Sequence, residues 1–167
     1  MRELEDLLAE VKQRHFPLPP ASVEKIEQAE TAIGHRLPDD LRQFYLACGG
    51  ALLFGEHDAP YEIVEPELLR PVGQVVLGED NASVPSSWIS LCYVQDANYV
   101  AIDLPAKASG EVWLIDCFHE TIGLEGDSTI IALSFREFLE RALASSGQHY
   151  WLFEHPSYGD AYERRPG

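Results

Sequence analysis

Long apolar runs are missing from this chain. None of its 167 residues falls in a stretch of the roughly 20 apolar residues that a bilayer crossing needs. The start, Met1 to Glu10, is charged and helix-patterned instead of a basic segment followed by an unbroken apolar one, so no secretory leader is expected. Basic residues are scarce as well: 12 Lys and Arg stand against 28 Asp and Glu, a formal net charge of −16. Nucleic acid and anionic membrane surfaces are poor partners for such a chain. Cysteine is limited to Cys48, Cys92 and Cys117, odd in number, widely spaced and set in apolar surroundings such as Leu91-Cys92-Tyr93. That argues against a disulfide framework and fits reduced core thiols in a cytosolic protein, where the sequon Asn81-Ala82-Ser83 carries no glycosylation meaning. Internal repeats and low-complexity stretches are also lacking.

What is present is ample material for a core. Apolar residues make up 46% of the chain and aromatics 10%, enough for one domain of ordinary size to fold without metal or disulfides. The acids are unevenly spread. Residues 51 to 130 contain 14 of them against only Arg70 and Lys107, a local net of 2 − 14 = −12. One reading of this imbalance is a solvated surface; the sharper one is a field that steers a basic partner.

The first fifty residues read as helices. Leu4, Leu7, Leu8 and Val11 form an i, i+3, i+4, i+7 stripe with acids near its start, ended by Pro17, Pro19 and Pro20. Ser22 is placed to cap a second helix with Val23, Ile26, Ala29 and Ile33 inward, and Gly34 to stop it. Pro38 suits the first turn of a third, with Leu41, Phe44, Tyr45 and Cys48 inward and Gly49-Gly50 as its stop.

After Gly50 the period becomes extended. Strands are expected at Ala51 to Phe54, Tyr61 to Val64, Trp88 to Val94, Tyr99 to Leu104, Val112 to Phe118 and Thr129 to Leu133. Their short connections, Asp96-Ala97-Asn98 among them, predict antiparallel neighbours. Val72 to Asn81 stays open between strand and loop, since Gly73 and Gly78 interrupt it. Ser134-Phe135-Arg136-Glu137 reads as a capping box opening a last helix that turns Phe135, Phe138, Leu139, Ala142 and Leu143 inward. The expected fold class is α+β, a mostly antiparallel central sheet with N-terminal helices and one C-terminal helix packed on it. Beyond Gln148 an aromatic tail ends in Arg164-Arg165-Pro166-Gly167, expected to pack in part and then fray.

Candidates for chemistry are thin. Asp116, His119 and Glu120 at a strand end form the best constellation for a metal-dependent hydrolase. Further ligands at fitting spacing are lacking, as are His-Glu-x-x-His and Cys-x-x-Cys. His149 and His155 flank Tyr150 to Glu154 and read as surface histidines around a packed aromatic segment. Gly49-Gly50 follows a helix and precedes a strand, the reverse of a phosphate-cradling loop. Asp96, Asp103, Glu111 and Asp116 punctuate successive strands; acids there guard a sheet against stray pairing, and with two bases in the same eighty residues they are expected to lack local partners. No catalytic residue, metal ligand or cofactor is expected.

The order of these elements resembles the SUKH superfamily, which joins yeast cell-wall regulators to many bacterial toxin-immunity proteins. Glu30 with Ile33-Gly34-His35-Arg36-Leu37-Pro38-Asp39-Asp40-Leu41, then Phe44-Tyr45 and Gly49-Gly50, is similar to its N-terminal signature. Tyr99 to Leu104 with Gly110-Glu111-Val112-Trp113 resembles its paired central strands, and Ile131 to Leu143 its closing strand and helix. Cys48 departs from the pattern, where the family often has Asn before its Gly. The resemblance implies one domain over 1–167, with a core at about 19–144 and a C-terminal extension at 145–167.

It further implies a non-enzymatic, cytoplasmic, protein-binding role: an immunity protein that neutralises a basic toxin domain, of nuclease type, through an acidic surface. The alternative is a regulatory scaffold binding endogenous proteins. Candidate partner-binding residues are Glu56, Asp58, Glu79, Asp80, Asp96, Asp116, Glu120, Glu125 and Asp127, with anchors by residue type in Trp88, Tyr93, Tyr99 and Trp113.

Overall fold

The computed structural model describes residues 1–78, 82–153, 156 and 158–164. Three helices come first in the chain: α1 (Leu4–Arg14), α2 (Val23–Ile33) and α3 (Asp39–Ala47). Their local signals operate as written. The Ser22 hydroxyl accepts from the Lys25 amide, and Gly34 takes the left-handed conformation at φ 74° that ends α2. Pro38 sits one place earlier than expected, as the extended residue before α3. Leu4, Leu7 and Val11 of α1 and Leu41, Phe44 and Tyr45 of α3 are buried as their spacing predicts. On α2 the inward stripe narrows to Ile26 and Ala29, while Val23 faces solvent.

The motif residues between α2 and α3 are architectural. The Glu30 carboxylate accepts from the Leu37 amide at 2.7 Å and pairs with the Arg42 guanidinium one turn into α3; Arg36, a neighbour in sequence, is not its partner. Asp40 accepts from the Arg136 amide at 2.9 Å and so ties the start of α3 to the start of the last long helix. Glu30→Gln keeps the acceptor for Leu37 and loses the charge facing Arg42. It is expected to cost about 1 kcal/mol in a urea titration.

Seven strands follow one another across a single antiparallel sheet in sequence order: β1 (Phe16–Pro17), β2 (Ala51–Leu53), β3 (Tyr61–Ile63), β4 (Trp88–Tyr93), β5 (Tyr99–Asp103), β6 (Leu114–Cys117) and β7 (Ile130–Ala132). The sheet has two apolar faces because the strands alternate. Its inner face, with Leu53, Tyr61, Ile63, Cys92, Val100, Ile102 and Leu114, packs on α1, α3 and α5 (Phe135–Ala144). The outer face, with Trp88, Ala101, Trp113, Ile115, Cys117 and Ile130, is covered by Val72 of α4 (Val72–Leu77), by Val84 and by Ala161 of α6 (Ala161–Arg164). The ambiguous stretch from Val72 is thus a helix of six residues, stopped by Gly78 at φ 75°. Its two glycines and short length had hidden the helical period.

The helix after β7 opens as expected, with one difference. Ser134 accepts from the Glu137 amide at 3.1 Å, but the Glu137 carboxylate reaches the amide of Leu133, one residue before the cap, and also takes Arg141 and the Tyr158 hydroxyl. The tail belongs to the core to a greater extent than its composition suggests. Tyr150 and Trp151 are buried in the inner cluster, and the Tyr150 hydroxyl donates to the Ile131 carbonyl at 2.8 Å. All three cysteines are buried free thiols; burial pushes Cys92 and Cys117 well above the usual thiol range. Among the described residues no helix is long and apolar enough to cross a membrane.

Candidate protein-docking site

An antiparallel meander sorts its connections automatically. Those leaving β2, β4 and β6 emerge at one end of the sheet, and those leaving β1, β3 and β5 at the other. The first set comprises residues 54–60, 94–98 and 118–129. These three loops hold Glu56 and Asp58, Asp96, and Glu120, Glu125 and Asp127, every one of them exposed. Residues far apart in sequence therefore share one end. Among the described residues one basic side chain lies within 4 Å of any of them: His119, whose Nε2 is 3.9 Å from Glu120.

At the opposite end three acids are paired, while Glu65 is exposed with no ion pair among the described residues. Asp103 is buried and held by the Lys107 ammonium at 2.7 Å, with the Ser87 hydroxyl donating to its other oxygen. Glu111 takes the Trp113 indole N–H at 3.0 Å and lies 3.4 Å from Arg164 of the tail. Glu67 pairs with Lys25 of α2 at 3.2 Å. The expectation that Asp103 and Glu111 lack partners is thus corrected: Lys107 folds back four residues, and Arg164 arrives from more than fifty residues away.

Rigid framing holds the three loops. The turn between β4 and β5 places Asp96 and Ala97 in the left-handed region, at φ 60° and 62°, with the Asn98 amide donating to the Gln95 carbonyl. This two-residue turn follows the natural strand twist but strains a residue with a Cβ. Ala97→Gly is expected to raise stability by about 0.5–1 kcal/mol, seen as a higher urea midpoint.

Asn98 then bridges to the next loop, since its Oδ1 accepts from the His119 amide and lies 2.8 Å from His119 Nδ1. In the loop 118–129, Ile122 anchors inward, and the base is fixed where the Ser128 amide donates to Asp160 and the Ala161 amide to the Ser128 carbonyl. In the loop 54–60, the Phe54 amide donates to His15 Nδ1 at 3.0 Å, and burial lowers the pKa of that imidazole, favouring the neutral form that accepts this bond.

Asp116 stands apart. Its register partner is Val100, so it lies on the inner, apolar face of β6. Burial raises its pKa to about 6, and among the described residues its carboxylate has neither a hydrogen-bond donor nor a cation. It is therefore not displayed as the loop acids are. His119 and Glu120 lie in the following loop, and among the described residues no group of three or more His, Cys, Asp or Glu is placed to hold a metal ion. Glu79, Asp80 and His155 lie outside the described residues. Of the anchors by type, Trp88 and Trp113 are buried in the outer core. Tyr93 and Tyr99 are half-exposed at the acidic end, their rings 5.3 Å apart. Sequence reading missed two exposed apolar side chains near the same end, Phe118 and Leu124, at 38% and 56% exposure.

The fold is that of a helix-backed antiparallel meander. The family model of the SMI1 / KNR4 family (SUKH-1) matches residues 20–141, and the chain belongs to that family. It is also similar to the Immunity protein YokJ of Bacillus subtilis (strain 168), with 35% identity over 132 residues that cover 77% of this chain and 79% of the relative. The matched family segment takes in Glu30, Asp40, the whole of β2 to β7 and most of α5.

Proposed function

We propose that this chain is a non-enzymatic immunity protein, acting in the cytoplasm as one domain, that binds and neutralises a cognate basic toxin of nuclease type through the acidic end of its sheet. The observation that carries this reading is the gathering of Glu56, Asp58, Asp96, Glu120, Glu125 and Asp127 onto three loops of one end, while Glu67, Asp103 and Glu111 at the other end are paired. A nuclease must present cations to hold phosphates, so a rigid array of carboxylates competes for that surface and speeds encounter. The family assignment and the relative's name support a protein-binding, immunity-type role.

The test is co-expression with the product of the neighbouring gene, assayed for toxicity on its own. Growth rescue together with a stable co-purified complex that weakens as salt rises is the expected result. Failure to rescue growth, or a complex indifferent to salt between low and physiological ionic strength, overturns the proposal.

A further inference from the structure

The outer sheet face is covered over only part of its width. From β4 onward it packs against α4 and the C-terminal segment, while toward β1 its side chains are exposed or half-exposed. Register sets one row of side chains across the open part: Phe16 pairs with Leu52, Leu52 with Glu62, Glu62 with Tyr93, and Tyr93 with Tyr99. Directly paired residues point to the same side of a sheet, so these five form a continuous strip. Phe16 is 52% exposed and Glu62 is exposed, while Leu52, Tyr93 and Tyr99 are half-exposed. At the β1 end the strip sinks into a hollow of about 390 Å³ walled also by Leu18 and Leu68, both exposed apolar residues. At the other end stand the two tyrosine rings, with Glu62 close enough to add to the upward pKa shift that burial gives Tyr99.

We propose that this strip is a recognition site for a protein segment carrying an apolar side chain and, three residues on, an Arg or Lys. The apolar side chain fills the hollow bordered by Phe16, Leu18, Leu52 and Leu68. The cation lies over the Tyr93 and Tyr99 rings, against the Glu62 carboxylate. Spacing follows from the sheet: Leu52 and Tyr93 are two strands apart, about 10 Å, which a segment in the polyproline II conformation covers in three residues with residues i and i+3 on the same side. A cation on an aromatic face beside a carboxylate gains from both.

Charge selects the occupant. Among the described residues no cation lines the hollow, and Lys25, in the adjoining depression, is held by Glu67. A second copy of a chain at −16 repels the first, and nucleic acid or an anionic bilayer is repelled likewise. An apolar and basic protein segment is the class that remains. The proposal deepens the reading of the protein as a binder of basic partners, since the strip runs beside the acidic loops, and it names the side chains the partner must offer.

The probe is a capped Gly/Ser peptide carrying one Leu and, three residues on, one Arg, titrated into isotopically labelled protein. Amide shifts are expected at Leu52, Glu62, Tyr93 and Tyr99. Binding should fall by about tenfold in Glu62→Lys and in Tyr93→Ser, both of which should keep native amide dispersion, and a peptide with Glu in place of Arg should not bind. Three results overturn the proposal. The first is equal binding of the Glu peptide. The second is shifts confined to residues 54–60 or 118–129 that survive Glu62→Lys. The third is concentration-dependent dimerisation of the wild type that Leu52→Lys abolishes, which gives the face to a second copy. Because the probe is a peptide, failure here is separable from failure of toxin neutralisation, which growth rescue reads.

Discussion

Asp116→Asn is expected to stabilise the protein at pH 7 by about 1–2 kcal/mol. A carboxyl that titrates near pH 6 in the fold and near 3.8 in the unfolded chain is penalised by about 3 kcal/mol when ionised in place. The new amide leaves polar atoms of its own without partners, which reduces the gain. The pH dependence has a definite sign. Between about 3.8 and 6 the folded state holds the proton and the unfolded state has released it, so wild-type stability falls as pH rises through that window. The Asn variant lacks this contribution. The gap between the two in urea midpoint should open from pH 4 upward and level off above 6. A gap that is constant over this range would show that Asp116 titrates normally in the fold.

Neutralising the acidic end should have the larger functional effect. With Glu56→Gln, Asp58→Asn, Asp96→Asn, Glu120→Gln, Glu125→Gln and Asp127→Asn combined, association with the toxin is expected to slow by about 10- to 100-fold at low salt and to lose most of its salt dependence. Dissociation should change less, because exposed charges act mainly on encounter. Stability should hold or rise slightly, since among the described residues the one ion-pair contact these carboxylates would lose is that of Glu120 with His119, at 3.9 Å. A matched control neutralises six acids elsewhere, Glu5, Asp6, Glu24, Glu27, Asp39 and Glu163, which are exposed on α1, α2, α3 and α6. If the control slows association as much as the loop variant does, overall charge is responsible and the local field is not.

Much of the fold is legible from short-range signals. Ser22, Gly34 and Ser134 mark helix ends through bonds made within a few residues, and the β-branched strands from Trp88 to Ala132 appear within a residue or two of their expected limits. Where reading failed, the deciding contact was distant or the segment short. Asp103 and Glu111 are alike in the sequence as strand-end acids, yet both are paired, and Arg164 reaches Glu111 only because the tail returns over the outer face. Asp116 is one residue from a loop and was grouped with the loop acids. The β5–β6 register puts it opposite Val100 and turns it inward.

The sequence by itself determined the acidic excess, the sparse chemistry, the helix caps and the alternation that makes a sheet with two apolar faces, because each of these depends on residue type or on neighbours within a turn. Which acids share a surface was decided by tertiary structure alone. An antiparallel chain reverses at every strand, so only the pairing order and register could bring residues 56, 96 and 125 to one end and align Phe16 with Tyr99 across five strands.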